Sequence, residues 1–334
     1  MSTENIAVVT IGRNEGERLI NCLQSLKQQL PTDAPIIYVD SGSTDDSIAE
    51  AKKLNIQVIS LDLSIPFTAA RARNTGLEYI VKNNPQTEYI QFLDGDCQLA
   101  ENWLQQAVTH LVNNPQLAIV CGRRREKYPQ NSVYNRLIDM EWNTPIGEAN
   151  ACGGDALIRL EAIQQVNGYN PQLICGEEPE MCIRLREKGW KIERLDLEMT
   201  LHDADISKFS QWWKRSLRTG WAVAQGYSMY GKKEEKYMKK EHFSGFLWGF
   251  ITPTIALSLV FLTKGLSMAF FSVYLLLGFK IYRYRQANFI GDEEKPDLYA
   301  FWCVLSKFPQ FLGQCQYWWK RWTGETATII EYKK

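Results

Sequence analysis

The sequence predicts an α/β fold, a mostly parallel sheet flanked by helices, with an apolar helical hairpin after it. Three observations predict it. Strand-like and helix-like segments alternate over the first hundred residues. Polar clusters recur where those strands end. A run of 21 residues without a charge, 243–263, is followed by a second apolar run, "LSMAFFSVYLLLGF".

"IAVVTIG" is an apolar run of strand length. "EGERLINCLQSLKQQL" places apolar residues at 19, 20, 23 and 26, which is helical spacing. "APIIYVDSGS" is a second strand ending at Asp40, and "TDDSIAEAKKLN" is a helix behind Ser, Thr and Asp cap candidates. "IQVISLD", "TAARARNTGLEYIVKNN" and "EYIQFLD" repeat the pattern as strand, helix and strand. Strands separated by helices of this length imply βαβ units. Such sheets bind ligands beyond the carboxyl ends of their strands. "RNEGE", "DSGSTDD" and "DGD" all fall there.

The stretch "YIQFLDGDCQLAENW" is the most informative. Asp-Gly is a strong hairpin signal. A hairpin needs a second alternating strand, whereas Leu99, Trp103, Leu104, Ala107, Val108 and Leu111 recur with a helical period. The prediction is strand, acidic turn, helix. Asp94 and Asp96 are two apart, so on an extended segment they share a side and face one ligand together. Two such carboxylates suit a hard divalent cation.

Beyond residue 115 the pattern loosens. "LAIVCGRRREK" is a strand running into a basic turn, either surface or a contact for a phosphate-bearing lipid acceptor. "ACGGDALIRLEAIQQVNGYN" is a glycine-rich turn before a helix. "GEEPEMCIRLREKGWKIERLD" is an acidic helix start, a helix and a strand. The helix N-terminus favours ionised Glu177 and Glu178.

Bulk properties exclude several classes. Lys+Arg and Asp+Glu are both 38 among 334 residues, which argues against a nucleic-acid binder driven by net charge. The eight cysteines form no CxxC pair, so a reduced, cytosol-facing compartment is expected. The opening "MSTENIAVVTIGRNEGE" lacks the pattern of a secretory signal. No GxGxxG follows the first strand and no GxxxxGK[ST] occurs, which disfavours dinucleotide dehydrogenases and P-loop nucleotidases.

A spanning helix needs about 20 apolar residues, which 243–263 meets and the second run only approaches. Lys232, Lys233, Lys236, Lys239 and Lys240 precede the pair and Lys280, Arg283 and Arg285 follow it. Positive charge on both flanks places both ends on the cytoplasmic side. The alternative is a buried core hairpin or a partly inserted pair. The tail "FPQFLGQCQYWWKRW" has the composition of a membrane interface.

Taken in order, "VVTIGRNEGERLINCLQSL", "YVDSGSTDDS", "ARARNTGL", "FLDGDC", "GGDALIRLEAIQQVNGYN" and "GEEPEMCIRLREKGW" resemble the family 2 inverting glycosyltransferases of GT-A (Rossmann-like) fold, over about residues 6–226. The hydrophobic tail resembles that of bacterial members that build exopolysaccharide or envelope glycans at the cytoplasmic membrane. The resemblance implies three parts: a catalytic domain at 1–230, a basic linker with the membrane hairpin at 231–285, and an interfacial tail at 286–334. It implies Mg²⁺ or Mn²⁺, a nucleotide-sugar donor with a UDP-sugar favoured, a glycan or lipid-linked acceptor and membrane lipids, but no nucleic acid.

Residue by residue, the resemblance has Thr10, Arg13 and Glu15 line the nucleotide pocket and Asp40 bind the base. Arg71 and Arg73 hold the base or the diphosphate. Asp94 and Asp96 are the DxD pair, with Asp96 the more direct metal ligand, and His202 completes the metal site. Asp155 lies near the donor sugar or acceptor. Glu178 is the general base, although Glu-Glu here replaces the family's Glu-Asp, so the choice between Glu177 and Glu178 stays open. In "QWWKRSLRTGW" Arg215 is four after Gln211 and Ser216 follows it, which departs from the Gln-x-x-Arg-Trp of processive members. Read without the resemblance, Asp40 is ordinary turn chemistry, the two arginines are a solvated helix face and His202 is a loop histidine. The rival functions are a nucleotidyltransferase and an inactive membrane-anchored scaffold.

Overall fold

The computed structural model describes residues 5–289, 291, 293–325, 328, 330 and 331. What the sequence predicts for the first four residues and for the remaining tail positions lies outside these. Two compact units form. One comprises the chain up to Tyr128 with Trp142–Ala204, and the other Pro129–Glu141 with the chain from Asp205 onward.

The first unit begins as the alternation predicts: β1 (Ile6–Gly12), α1 (Glu17–Gln29), β2 (Ile36–Asp40), α2 (Ser47–Lys53), β3 (Gln57–Ser60), α3 (Ala69–Asn83) and β4 (Tyr89–Asp94). Helical periodicity selects the face α1 buries, through Leu19, Cys22, Leu23 and Leu26. The Thr68 hydroxyl caps α3 by accepting from the Arg71 N–H. The strands β3, β2, β1 and β4 lie side by side, all parallel.

Beyond β4 the sheet is mixed. It continues through β5 (Cys97–Leu99), α4 (Trp103–Asn113), β6 (Leu117–Glu126), β7 (Gly147–Glu148), β8 (Ala156–Arg159), α6 (Leu160–Gln165), α7 (Glu177–Glu187) and β9 (Lys191–His202), while α5 (Val133–Glu141) belongs to the second unit. The strand order is β3-β2-β1-β4-β8-β6-β9-β5, with β7 also on β9. β8 runs antiparallel to both β4 and β6, whereas β6 and β9 are parallel. Two local expectations change. The residues after the acidic turn, Cys97–Leu99, are a short strand before the helix, and they pair with β9 rather than back onto β4, so no hairpin forms. The glycine-rich turn at 153–154 leads into β8 before it reaches a helix.

The second unit is helical: α8 (Phe209–Tyr230), α9 (Lys239–Phe246), α10 (Thr252–Ser258), α11 (Val273–Asn288), α12 (Pro296–Leu305) and α13 (Lys307–Thr323), together with α5. α8 was expected in the catalytic domain, whose predicted end is 230. Its packing explains the change. A Cβ on Gly220 of α8 would come within 2.0 Å of the Gln310 carbonyl oxygen, and one on Gly313 of α13 within 2.0 Å of that of Leu217. The two backbones meet where neither helix carries a side chain.

The two apolar runs do fold back on each other. The turn between them is made by Lys264 and Gly265, both at positive φ. The Ser267 hydroxyl donates to the Ala256 carbonyl at 2.7 Å, and the Tyr274 hydroxyl to that of Trp248. Their weights differ from expectation. Residues 243–263 are interrupted by a π-helical turn at Leu247–Ile251 and end in irregular turns. Leu266–Asn288, a 3₁₀ segment continued by α11, is the one helix among the described residues long and apolar enough to cross a membrane. Phe261, Leu262 and Leu266, around the turn, are 91%, 82% and 79% exposed.

Candidate active site

The site lies in the first unit, where β4, β6 and β9 end and β8 begins. Its centre is Asp94, the last residue of β4. One oxygen accepts from Arg73 of α3 at 2.8 Å and the other from Arg124 of β6 at 3.0 Å. Burial works against the Asp94 charge, but the two guanidiniums overcome it and hold the carboxyl well below the usual range. Arg73 is buried, and its other nitrogen donates to Glu177 at 2.7 Å. Asp155, fully buried ahead of β8, accepts from the Asp94 backbone N–H at 3.0 Å and the Thr200 hydroxyl at 2.9 Å, and pairs with Arg124 at 3.2 Å. Gly154 packs closely here. A Cβ on it would stand 2.9 Å from both Arg73 and Asp94.

Asp96, two residues on, has a different environment. The pairing of β5 with β9 sets Cys97 opposite His202. Asp96 Oδ2 thereby comes 3.2 Å from His202 Nε2, and His202 Nδ1 faces Glu126 of β6 at 3.6 Å. The Trp142 ring lies edge-on to the imidazole, with centroids 4.6 Å apart, and Arg124 sits over the same indole at 4.8 Å. Burial, then the Arg124 charge, lowers the His202 pKa below its ordinary value, so the ring is neutral near pH 7 with a lone pair to offer.

Asp96 and His202 converge, and carboxylate oxygen with imidazole nitrogen suits Mn²⁺, while Mg²⁺ prefers oxygen alone. Cys97 Sγ lies within 4.8 Å of both ligand atoms, but it accepts from Arg124 at 3.0 Å. Asp94, expected to face the same ligand as Asp96, instead gives both oxygens to guanidiniums.

Glu177 and Glu178 open α7 after Gly176, which holds φ +77. Being adjacent, they point apart. Glu177 joins Arg73. Glu178 Oε1 accepts from the Cys152 backbone N–H at 2.5 Å and the Cys182 thiol at 3.1 Å. Burial raises its pKa, only partly offset by those donors. No cation is paired with it among the described residues.

The remaining predicted residues gather at the ends of β1 and β2. Asp40 accepts from the Tyr38 hydroxyl and the N–H groups of Gly42 and Ser43, each at 2.9 Å, so it organises its own turn. Arg13 donates to the Gly42 carbonyl at 3.4 Å and lies over the Phe67 ring at 4.6 Å. Glu15 pairs with Arg18 at 2.9 Å, and Thr10 is fully buried in β1. Arg71 donates to the carbonyls of Asp62 and Ile65 at 2.6 and 2.7 Å, which ties down the loop before α3 and keeps it out of the Asp94 cluster.

Sequence reasoning missed Arg124, Glu126 and Trp142. The run "GRRREK", read as a basic turn, is the end of β6. Strand alternation turns Arg124 and Glu126 to one side, and that parity was the available signal.

The mixed α/β sheet with charged side chains at its strand ends has the GT-A fold, shared with a solved glycosyltransferase. Residues 7–164 match the family model described as glycosyl transferase family 2. The chain is 23% identical to glycosyltransferase AglE of Haloferax volcanii over 225 residues, 64% of this chain and 71% of that protein. It is 25% identical to the O-antigen chain rhamnosyltransferase RfbN of Salmonella typhimurium over 194 residues, 54% of this chain and 60% of that one. A solved mannosyltransferase from Pyrobaculum calidifontis, PcManGT, in complex with GDP-Man and Mn²⁺, shares the fold with a TM-score of 0.66 at 15% identity, over 95% of this chain and 88% of that one. Residues 7–164 thus carry a family 2 glycosyltransferase domain, and the relatives they match are named as glycosyltransferases.

Proposed function

We propose that the chain moves a sugar from a nucleotide-diphosphate sugar to a glycan or lipid-linked acceptor in a single inverting displacement. The observation that carries this is the division of labour around Arg73 and Arg124. They neutralise Asp94, while Asp96 and His202 next to them keep ligand atoms 3.2 Å apart. Mn²⁺ or Mg²⁺ held by Asp96 and His202 would neutralise the charge of the departing diphosphate. Glu126 orients the His202 ring. Asp155 and Arg124 brace the Asp94 backbone and side chain, and Gly154 leaves room for that cluster. Glu178 takes the acceptor proton. It is buried with no guanidinium partner among the described residues, whereas Glu177 is engaged by Arg73 at 2.7 Å. Incubation with UDP-, GDP- and dTDP-sugars and Mn²⁺ tests the reading. Release of nucleoside diphosphate supports it, and pyrophosphate release would indicate nucleotidyl transfer instead.

We further propose that the apolar hairpin anchors the chain at the cytoplasmic face of a membrane. Phe261, Leu262 and Leu266 at its turn enter the lipid first, and the flanking lysines meet anionic headgroups, at about 1 kcal/mol each. RfbN is named as an O-antigen chain rhamnosyltransferase, which supports a glycan acceptor. Replacing all three tip residues by Ser in the full chain should release it from anionic vesicles in flotation. Unchanged flotation would return the hairpin to a protein interface.

A further inference from the structure

We infer that Cys152, Glu178 and Cys182 form a binding site for a thiophilic divalent cation of the Zn²⁺ class, distinct from the Asp96–His202 pair. Glu178 and Cys182 are four apart on α7 and so share one face. Cys152, in the loop before β8, lies over that face. Its Sγ is 3.8 Å from Cys182 Sγ, and Cys182 Sγ is 3.1 Å from Glu178 Oε1. One ligand atom from each of the three lies within 4.8 Å of the others, and all three residues are buried.

The sulfur separation discriminates between two chemistries. A disulfide needs about 2.05 Å, far less than the 3.8 Å observed. Two thiolates on one tetrahedral Zn²⁺, each about 2.3 Å from it, stand about 3.8 Å apart. The thiol pair already has the spacing of two ligands on a common cation. The carboxylate needs a small move, from 3.1 Å to about 3.6 Å from the sulfur. Three protein ligands leave a fourth position for water. Soft sulfur selects Zn²⁺ over the Mg²⁺ or Mn²⁺ suited to the other site. The positive end of α7 and the Arg186 charge, which Cys182 senses, offset the added negative charge.

Cation bound here occupies the carboxylate assigned above as the general base. The effect on turnover rests on that reading; binding does not. The test uses the reduced full chain in detergent. Cd²⁺ titration should give thiolate-to-cadmium ultraviolet absorption saturating at one cation per chain. Cys152→Ser and Cys182→Ser should each weaken it at least tenfold, and Asp96→Ala should leave it unchanged. X-ray absorption of the Zn²⁺-loaded wild type, which needs no variant to fold, should report two sulfur neighbours at about 2.3 Å. A shell of nitrogen and oxygen alone, or an absorption band surviving in the double Ser variant, overturns the site. Zn²⁺ should also lower turnover at saturating Mn²⁺, with recovery on chelation. Full binding with unchanged turnover would uphold the site and remove Glu178 from the role of base.

Discussion

The turn after β4 and the start of α7 solve the same problem in parallel. Each presents two carboxylates, Asp94 with Asp96 and Glu177 with Glu178. In each, one member is given to Arg73, at 2.8 Å for Asp94 and 2.7 Å for Glu177. The other member has a contact of a different kind: Asp96 with the imidazole of His202, Glu178 with a backbone N–H and a thiol. Like side chains one or two positions apart thus acquire opposite properties. The guanidinium-bound pair hold the frame. The other pair keep a lone pair for a cation or a proton. Environments that push like groups apart are how a site assigns roles.

The largest effect should come from Asp96→Ala. Loss of cation-borne stabilisation worth several kcal/mol should lower turnover about a thousandfold and abolish the Mn²⁺-dependent part of donor binding in thermal-shift assays. Equal donor affinity in EDTA for wild type and variant would break the distinction between Asp96 and Asp94. Glu178→Gln should lower turnover by about 10²–10⁴ with donor affinity nearly intact, and Glu177→Gln should be milder. Steady-state kinetics with the two effects reversed would exchange the roles at α7.

Arg124→Lys sharpens the frame half of the comparison. Lysine keeps the charge but cannot span Asp94, Asp155 and Cys97 together. Denaturant unfolding should show a loss of about 1.5–3 kcal/mol, the worth of a hydrogen bond to a charged group. The smallest effect is on pH dependence. His202 has a lower pKa folded than unfolded, so the unfolded chain binds more protons below about 6.5. Stability should fall as pH drops through that window, and His202→Gln should flatten the slope of Tm against pH. An unchanged slope would mean that His202 titrates alike in the folded and unfolded chain, which would remove burial as the source of its neutral ring.

The parallel half of the sheet was legible because each strand is one short apolar run bounded by caps and turns. The acidic pairs were legible as residues, but their partners were not. Arg124 and Glu126 differ from their neighbours only by strand parity, which is invisible until "GRRRE" is known to be strand rather than turn. Asp155 reads as one more polar residue in a glycine-rich loop, because these three contacts come from β4, β6 and β9. The membership of α8 was hidden too. Gly220 looks like a weak point in a helix until α13, about ninety positions later, presses its backbone onto it.

The antiparallel placement of β8 has a consequence in time. Parallel strands deliver only their outgoing loops to this edge of the sheet, whereas β8 delivers its incoming one, with Asp155 and Gly154. The residues that must meet are therefore far apart in the chain: Asp94 and Asp155 by 61 positions, Arg73 and Glu177 by 104. Contacts of such span form slowly, after local ones. Refolding should restore the helical signal of α1, α2 and α3, whose contacts are local, first. Donor binding should return in a later phase, when β8 inserts between β4 and β6 and closes the ring of charges.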